Sequence, residues 1–288
     1  MRNLNLDTSL QNQKNLEISK IDPNDLTLKI SRVIEISELE KQRIFDIFQS
    51  FKFVILDCEH LPNIHENVLA LKKLFGTVRR HHKNSDENGI QTIRDINSIK
   101  DISNTNKIHP IHTDGTFYDE PPKVVALQCE IAAENGGLSQ IVYAESVYNY
   151  FAEHYPQEMQ TLFTPGSFTI TKDNQTSQRS IFTEKEGRIL VRFRYDEYVK
   201  TEVLPEVKKA FNLFQNYIQD PNNQIVFKLS ANQILIFDNT SVLHGRTSFP
   251  KDETRKINKL WFEGDSEYAR EIQFGFQPHS YSLQKVKI

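Results

Sequence analysis

Between Val124 and Phe262 the chain is cut into short apolar runs with turn residues between most of them. The runs are Val124–Cys129, Gln140–Tyr143, Ser167–Ile170, Ile189–Phe193, Ile225–Lys228, Ile234–Phe237 and Lys259–Phe262. Each has strand length and is rich in branched and aromatic residues, so a helix is a poor fit to any of them. Two helical patterns interrupt the series, Glu145–Tyr155 and the stretch after Pro205 (EVKKAFNLFQNYI). Strands spaced in this way favour a sandwich or jelly-roll barrel with inserted helices over a parallel doubly wound sheet. No GxGxxG follows a strand and no GxxxxGK occurs, so a nucleotide phosphate cradle has no support.

The front third mixes both element types. Ser37–Phe51 places Leu39, Ile44, Phe45, Ile47 and Phe48 near helical spacing, and Ser37 with Glu40 makes a capping-box start. Phe53-Val54-Ile55-Leu56 reads as a buried strand, and His65–Phe75 as a second amphipathic helix stopped by Gly76. The fold class expected is therefore α+β, a jelly-roll core with flanking and inserted helices. Residues 1–25 are Asn/Gln/Asp-rich with weak periodicity and read as a loosely ordered leader, leaving 26–288 as a single domain.

Composition narrows the partners. Lys+Arg 35 against Asp+Glu 38 gives a formal charge of -3, which provides no basic field for nucleic acid. Nothing approaches the ~20 apolar residues of a membrane span, and the start lacks a signal-peptide core. Cys58 and Cys129 alone make no disulfide framework, so a cytoplasmic protein is the default, its oligomeric state left open.

The chemistry concentrates in three segments. His112 and Asp114, read in an extended segment, put an imidazole and a carboxylate on one face, because side-chain direction repeats every two residues. Further on, the buried run Ile234–Phe237 leads through a polar turn to His244. A third ligand from a later strand would complete two histidines and one carboxylate, leaving adjacent positions of an octahedral metal open. Arg255 follows eleven residues after His244, and its guanidinium fork suits a carboxylate. Taken singly, each has an ordinary reading: a surface His beside a turn Asp-Gly, a hydrogen-bonded strand-end His, a solvated Arg.

Taken in order, Leu74-Phe75-Gly76, His112-Thr113-Asp114-Gly115, Gly136-Gly137-Leu138-Ser139, Phe237-Asp238-Asn239, His244-Gly245-Arg246 and Arg255 resemble the taurine/2-oxoglutarate dioxygenase (TauD/TfdA-like) family of non-haem iron enzymes. The resemblance covers roughly residues 50 to 265. It implies a double-stranded β-helix holding Fe(II) through His112, Asp114 and His244, with 2-oxoglutarate as cosubstrate. Arg255 would pair with the C5 carboxylate, and Ser139 would reach the same carboxylate where the family usually carries Thr. The implied activity is oxidoreductase chemistry with dioxygen on a small polar molecule, amino-acid- or isonitrile-derived molecules being the favoured class. Hydroxylation, desaturation or oxidative decarboxylation would release succinate and CO2.

Lys259 stands where many members have a second Arg. Lys cannot make the same bidentate contact, so no sulfonate substrate is inferred and Lys259 stays a candidate substrate contact. His82, with His81 beside it, falls where members place pocket residues, although a solvated basic patch with Arg79, Arg80 and Lys83 competes. Arg192 and Arg194 alternate in ILVRFRY on one strand face, either solvated or anchoring a substrate carboxylate. Trp261 and Phe262 read as core, and Cys58, His60 and His65 match no zinc spacing. Two rivals remain: a non-catalytic jelly-roll module binding a metal or ligand, and a zinc hydrolase using the same three ligands. Neither needs Arg255 or Ser139.

Overall fold

The computed structural model describes residues 21–80, 85–98 and 100–278. Its strands in chain order begin with β1 (Thr27–Ile30), β2 (Phe53–Cys58), β3 (Val78–Arg79), β4 (Gln91–Arg94), β5 (His109–His112), β6 (Val124–Ile131) and β7 (Ser139–Tyr143). After two helices come β8 (Phe168–Lys172), β9 (Gln175–Arg179), β10 (Phe182–Lys185), β11 (Arg188–Val191) and β12 (Lys200–Val203). The last are β13 (Ile225–Phe227), β14 (Gln233–Asp238), β15 (Val242–Arg246) and β16 (Lys256–Phe262). The helices that matter are α1 (Glu38–Phe51), α2 (Glu66–Ala70), α3 (Lys72–Phe75), α4 (Ala144–His154), α5 (Pro156–Thr161) and α6 (Lys208–Gln219).

A large sheet runs β1-β2-β14-β6-β16-β3, with β4 also on β16; a smaller one runs β13-β7-β15-β5. Only β1 and β2 pair in parallel; the other pairs in both sheets are antiparallel. Side-chain alternation decides what each face meets. Phe53, Ile55, Val125, Leu235, Phe237, Ile257 and Trp261 of the large sheet join Ile141, Tyr143, Ile225 and Val242 of the small one in a single apolar cluster. Their neighbours Val54, Leu56, Ala126, Ile234, Ile236, Leu260 and Phe262 turn the other way, onto Ile44, Phe48, Leu74 and Phe75 of the front helices. This is why the Ile234–Phe237 run is apolar throughout: both faces are covered. The far face of the small sheet is covered in turn, Ile111, Val142 and Leu243 packing on Val147, Phe151, Phe211 and Phe214 of α4 and α6. The α+β architecture is thus helix, sheet, sheet, helix.

Ser37 caps α1 as its spacing predicts: its hydroxyl accepts from the Glu40 N–H while the Glu40 carboxylate accepts from the Ser37 N–H. The predicted helix 65–75 is instead two short helices meeting at Leu71, where the first ends after Ala70. Gly76 does stop the pair, at φ +89 and against Asp265, where a Cβ would collide. The predicted strand 189–193 ends at Val191. Beyond it Phe193 is stitched to Thr113, its carbonyl accepting from the Thr113 N–H at 2.7 Å and its N–H donating to the Thr113 hydroxyl at 3.1 Å. The chain bearing Arg192 and Arg194 therefore follows Thr113, and the expectation that both arginines share one strand face is not met.

Candidate metal centre

β5 and β15 lie side by side in the small sheet, and His112 is registered directly across from His244. Cross-strand partners share a face, so the rings come together with centroids 4.3 Å apart. His244 thus sits in the middle of a strand rather than at its end. Asp114 is not on the strand either: β5 stops at His112 and Asp114 opens the turn that follows. What brings it back is Asn239. The Asn239 side chain accepts from the Asp114 N–H at 2.8 Å and donates to the Asp114 carbonyl at 3.0 Å and the Pro122 carbonyl at 2.9 Å. Asn239 is itself set by the β14–β15 turn, whose fully buried Asp238 accepts from the Thr240 N–H and hydroxyl and the Ser241 hydroxyl.

The result is three buried ligand atoms, one each from His112, Asp114 and His244, all within 4.8 Å of one another. His112 Nε2 is 3.4 Å from Asp114 Oδ1, close to the ~3 Å between adjacent ligand atoms on an ion with bonds of about 2.1 Å. The His112 Nδ1–H donates to the Pro110 carbonyl at 2.8 Å, which leaves the Nε2 lone pair facing inward, and that atom is buried without a partner. His244 Nδ1 is also buried and unpartnered. The donor set fits a divalent metal ion.

The other carboxylate oxygen is occupied. Asp114 Oδ2 accepts from Trp261 Nε1–H at 2.8 Å and pairs with Lys259 Nζ at 3.0 Å. Lys259 and Trp261 alternate along β16 with Ile257, so period two turns all three to the interior. Burial alone would push the Asp114 carboxyl up, but Lys259, His112 and His244 together hold it well below the usual carboxylate range. Burial, reinforced by His112, holds His244 well below the usual imidazole value and hence neutral, the form that ligates.

Arg255 precedes β16, is 9% exposed, and among the described residues meets no carboxylate. Burial pushes its guanidinium down to about 10. Gly137, at φ +62, lets the preceding turn lie against it, for a Cβ there would stand 2.9 Å from Arg255 Cδ. Ser139, also buried, is registered across from Arg246. Arg246 is a second buried guanidinium, pushed down to about 9 by burial and then by Arg255.

A small cavity adjoins Asp114, lined by Asp101, His109, Lys172, Arg194 and Lys259 among others. Arg194 reaches this cavity, whereas Arg192 lines a different one with Thr116, Ser177 and Arg179. His82 lies outside the described residues. Sequence reasoning missed Gln91, His109 and the hydrogen bond of Trp261. Alternation with Lys259 could have turned Trp261 inward, whereas His109 stands three residues from His112, out of step with strand alternation, and stacks on its ring at 4.1 Å where the β5–β15 register shifts. Gln91 had no local signal, since it enters only because β4 pairs with β16 and sets it across from Lys259.

Two imidazoles and a carboxylate around one point could hold a single metal ion and leave coordination positions open. The chain matches the family model for taurine catabolism dioxygenase TauD, TfdA family over residues 13–261, and it belongs to that family. Among curated relatives it is 20% identical over 221 residues to the FR-33289 synthase of Streptomyces rubellomurinus, 70% of this chain and 64% of that one. It is 24% identical over 190 residues to the gamma-butyrobetaine dioxygenase of Homo sapiens, 62% of this chain and 46% of the other. The match thus spans less than two thirds of the length of either relative. Among solved structures it resembles asparagine oxygenase in complex with Fe(II), 2S,3S-3-hydroxyasparagine and succinate, at TM-score 0.63 and 12% identity, covering 82% of this chain and 93% of that one. A taurine dioxygenase from Burkholderia xenovorans gives TM-score 0.61 at 15% identity, covering 82% and 87%.

Proposed function

We propose that this chain is an Fe(II)- and 2-oxoglutarate-dependent oxygenase of a small polar molecule, built on a double-stranded β-helix formed by its two main sheets. The observation that carries the reading is the convergence of three buried ligand atoms from His112, Asp114 and His244, in a chain that also buries Arg255 with no carboxylate partner among the described residues. A structural or hydrolytic metal site has no use for that arginine. Bound together, iron and 2-oxoglutarate supply the power to activate dioxygen and remove hydrogen from a C–H bond, releasing succinate and CO2.

His112, Asp114 and His244 would hold the iron and leave three of six positions for cosubstrate and dioxygen. Trp261 and Lys259 fix Asp114 Oδ2 so that Oδ1 faces the metal position. Arg255 takes the C5 carboxylate of 2-oxoglutarate with a charge-assisted contact, and Ser139 adds a hydroxyl. The cavity beside Asp114 holds the substrate out of bulk water. Trimethyllysine, gamma-butyrobetaine and asparagine, in the names of relatives, support a small polar substrate, amino-acid-derived molecules first and isonitrile-bearing ones among them. Residues 26–288 would work as one domain.

Anaerobic calorimetry of iron(II) and then 2-oxoglutarate, followed by a substrate screen reading succinate, tests this. Saturable 2-oxoglutarate binding that depends on iron, and succinate formed with substrate turnover, are expected. An iron-loaded protein that does not bind 2-oxoglutarate would overturn the proposal.

A further inference from the structure

The cavity beside Asp114 holds three polar atoms that the fold leaves unused. Gln91 Oε1, His109 Nε2 and Arg194 Nη2 are each buried with no hydrogen-bond partner, and all three residues line this one cavity. Gln91 is 3% and Arg194 7% exposed, so water does not readily serve them in place of protein. Other charged groups in the cavity are already engaged. Lys172 lies 3.6 Å from Asp101, and Lys259 is spent on Asp114. Arg194 is only half engaged: its Nε donates to Asp196 at 2.7 Å, and Nη2 remains.

A guanidinium nitrogen can only donate, and a carbonyl oxygen can only accept. Resting on the oxygenase reading above, we infer that Arg194 and Gln91 are the specificity determinants, Arg194 taking a substrate carboxylate and the Gln91 carbonyl taking a substrate N–H. The ligand is then an amino-carboxylate, its two polar ends matched to the unpartnered atoms that line the cavity. The positions support this. Gln91 reaches the cavity from β4 across from Lys259, whereas Arg194 reaches it from the segment stitched to Thr113, so the two read the ligand from different walls. His109 Nε2 faces the same space from β5 and can donate or accept according to tautomer, so it fits either end.

The test uses the protein loaded with iron(II) and 2-oxoglutarate under argon. The probes are the twenty protein amino acids, the amine matching each without its carboxylate, and the acid matching each without its amino group. At least one amino acid should bind more than about tenfold tighter than both of its truncated analogues, because a buried site built for a hydrogen bond rejects the ligand that lacks it. Arg194→Lys keeps a charge beside Asp196 and so protects the fold, but it loses the fork and should erase most of the preference over the amine. Gln91→Leu should erase the preference over the deaminated acid and leave the other intact. Both should keep 2-oxoglutarate affinity and melting temperature near wild type. If 2-oxoglutarate binds yet no amino acid is preferred over its analogues, or if both variants weaken all probes alike, the inference is wrong while the oxygenase reading stands. Failure of 2-oxoglutarate itself to bind would overturn that reading and the inference together.

Discussion

Asp114 has one carboxylate oxygen committed to Trp261 and Lys259 before any metal arrives. Such contacts orient a ligand and raise the cost of its moving away from the metal. Trp261→Phe keeps an aromatic ring between the sheets but removes the N–H together with part of the indole. Iron(II) affinity should fall roughly 10–100-fold in a metal titration, while thermal stability changes little; unchanged affinity would reduce that hydrogen bond to a packing detail. Arg255 offers a second residue-level test. Arg255→Ala should weaken 2-oxoglutarate binding by about 2–5 kcal/mol, the cost of a buried charge-assisted contact. Ser139→Ala should lose about 1 kcal/mol, the worth of one neutral hydrogen bond, both read by calorimetry with iron binding preserved.

At the scale of the element, α1 shows local sequence acting through a few hydrogen bonds. The Glu40 carboxylate accepts from the Ser37 N–H at 2.8 Å and its hydroxyl at 2.7 Å, and these contacts, the hydroxyl first, hold its pKa below the usual value. A carboxyl whose folded pKa is depressed stabilises fully above its unfolded value of about 4.3, and that contribution disappears as pH falls through the folded value. The stability gap between wild type and Glu40→Gln in urea unfolding should therefore be widest near neutrality and close below about pH 4. Ser37→Ala, which removes the cap itself, should cost about 1 kcal/mol. The β5–β15 pair is the element-level counterpart at the site, because its register alone sets His112 across from His244.

For the whole molecule, the site depends on the two sheets staying together. His112 and His244 come from the small sheet, Lys259 and Trp261 from the large one. Phe53 of the large sheet sits between Tyr143 and Phe227 of the small one, with ring centroids at 6.3 and 6.2 Å, and is fully buried. Phe53→Ala should cost about 3–5 kcal/mol through lost contacts and the cavity left behind. Trp261 is the only tryptophan, so its fluorescence reports the centre directly. Fluorescence and far-UV circular dichroism should move together in the variant and in wild type. Fluorescence changing well before the helical signal would mean that the sheets separate as independent units.

The sequence by itself determined what short-range physics can encode. The capping box at Ser37 and Glu40 and the two-sided burial of Ile234–Phe237 follow from periods of 3.6 and 2 within a few residues. The chemistry of the site was legible too, because an imidazole, a carboxylate and a guanidinium carry their bonding properties wherever they stand, and the ordered motifs tied them together. Tertiary structure decided which of those groups meet. Asp114 left the strand and was recovered by Asn239, the arginines of ILVRFRY parted once Phe193 bonded to Thr113, and Gln91 came to face Lys259 through β4. These contacts join residues far apart in the chain, and their register follows from how whole faces bury against one another, which no local window of residues contains.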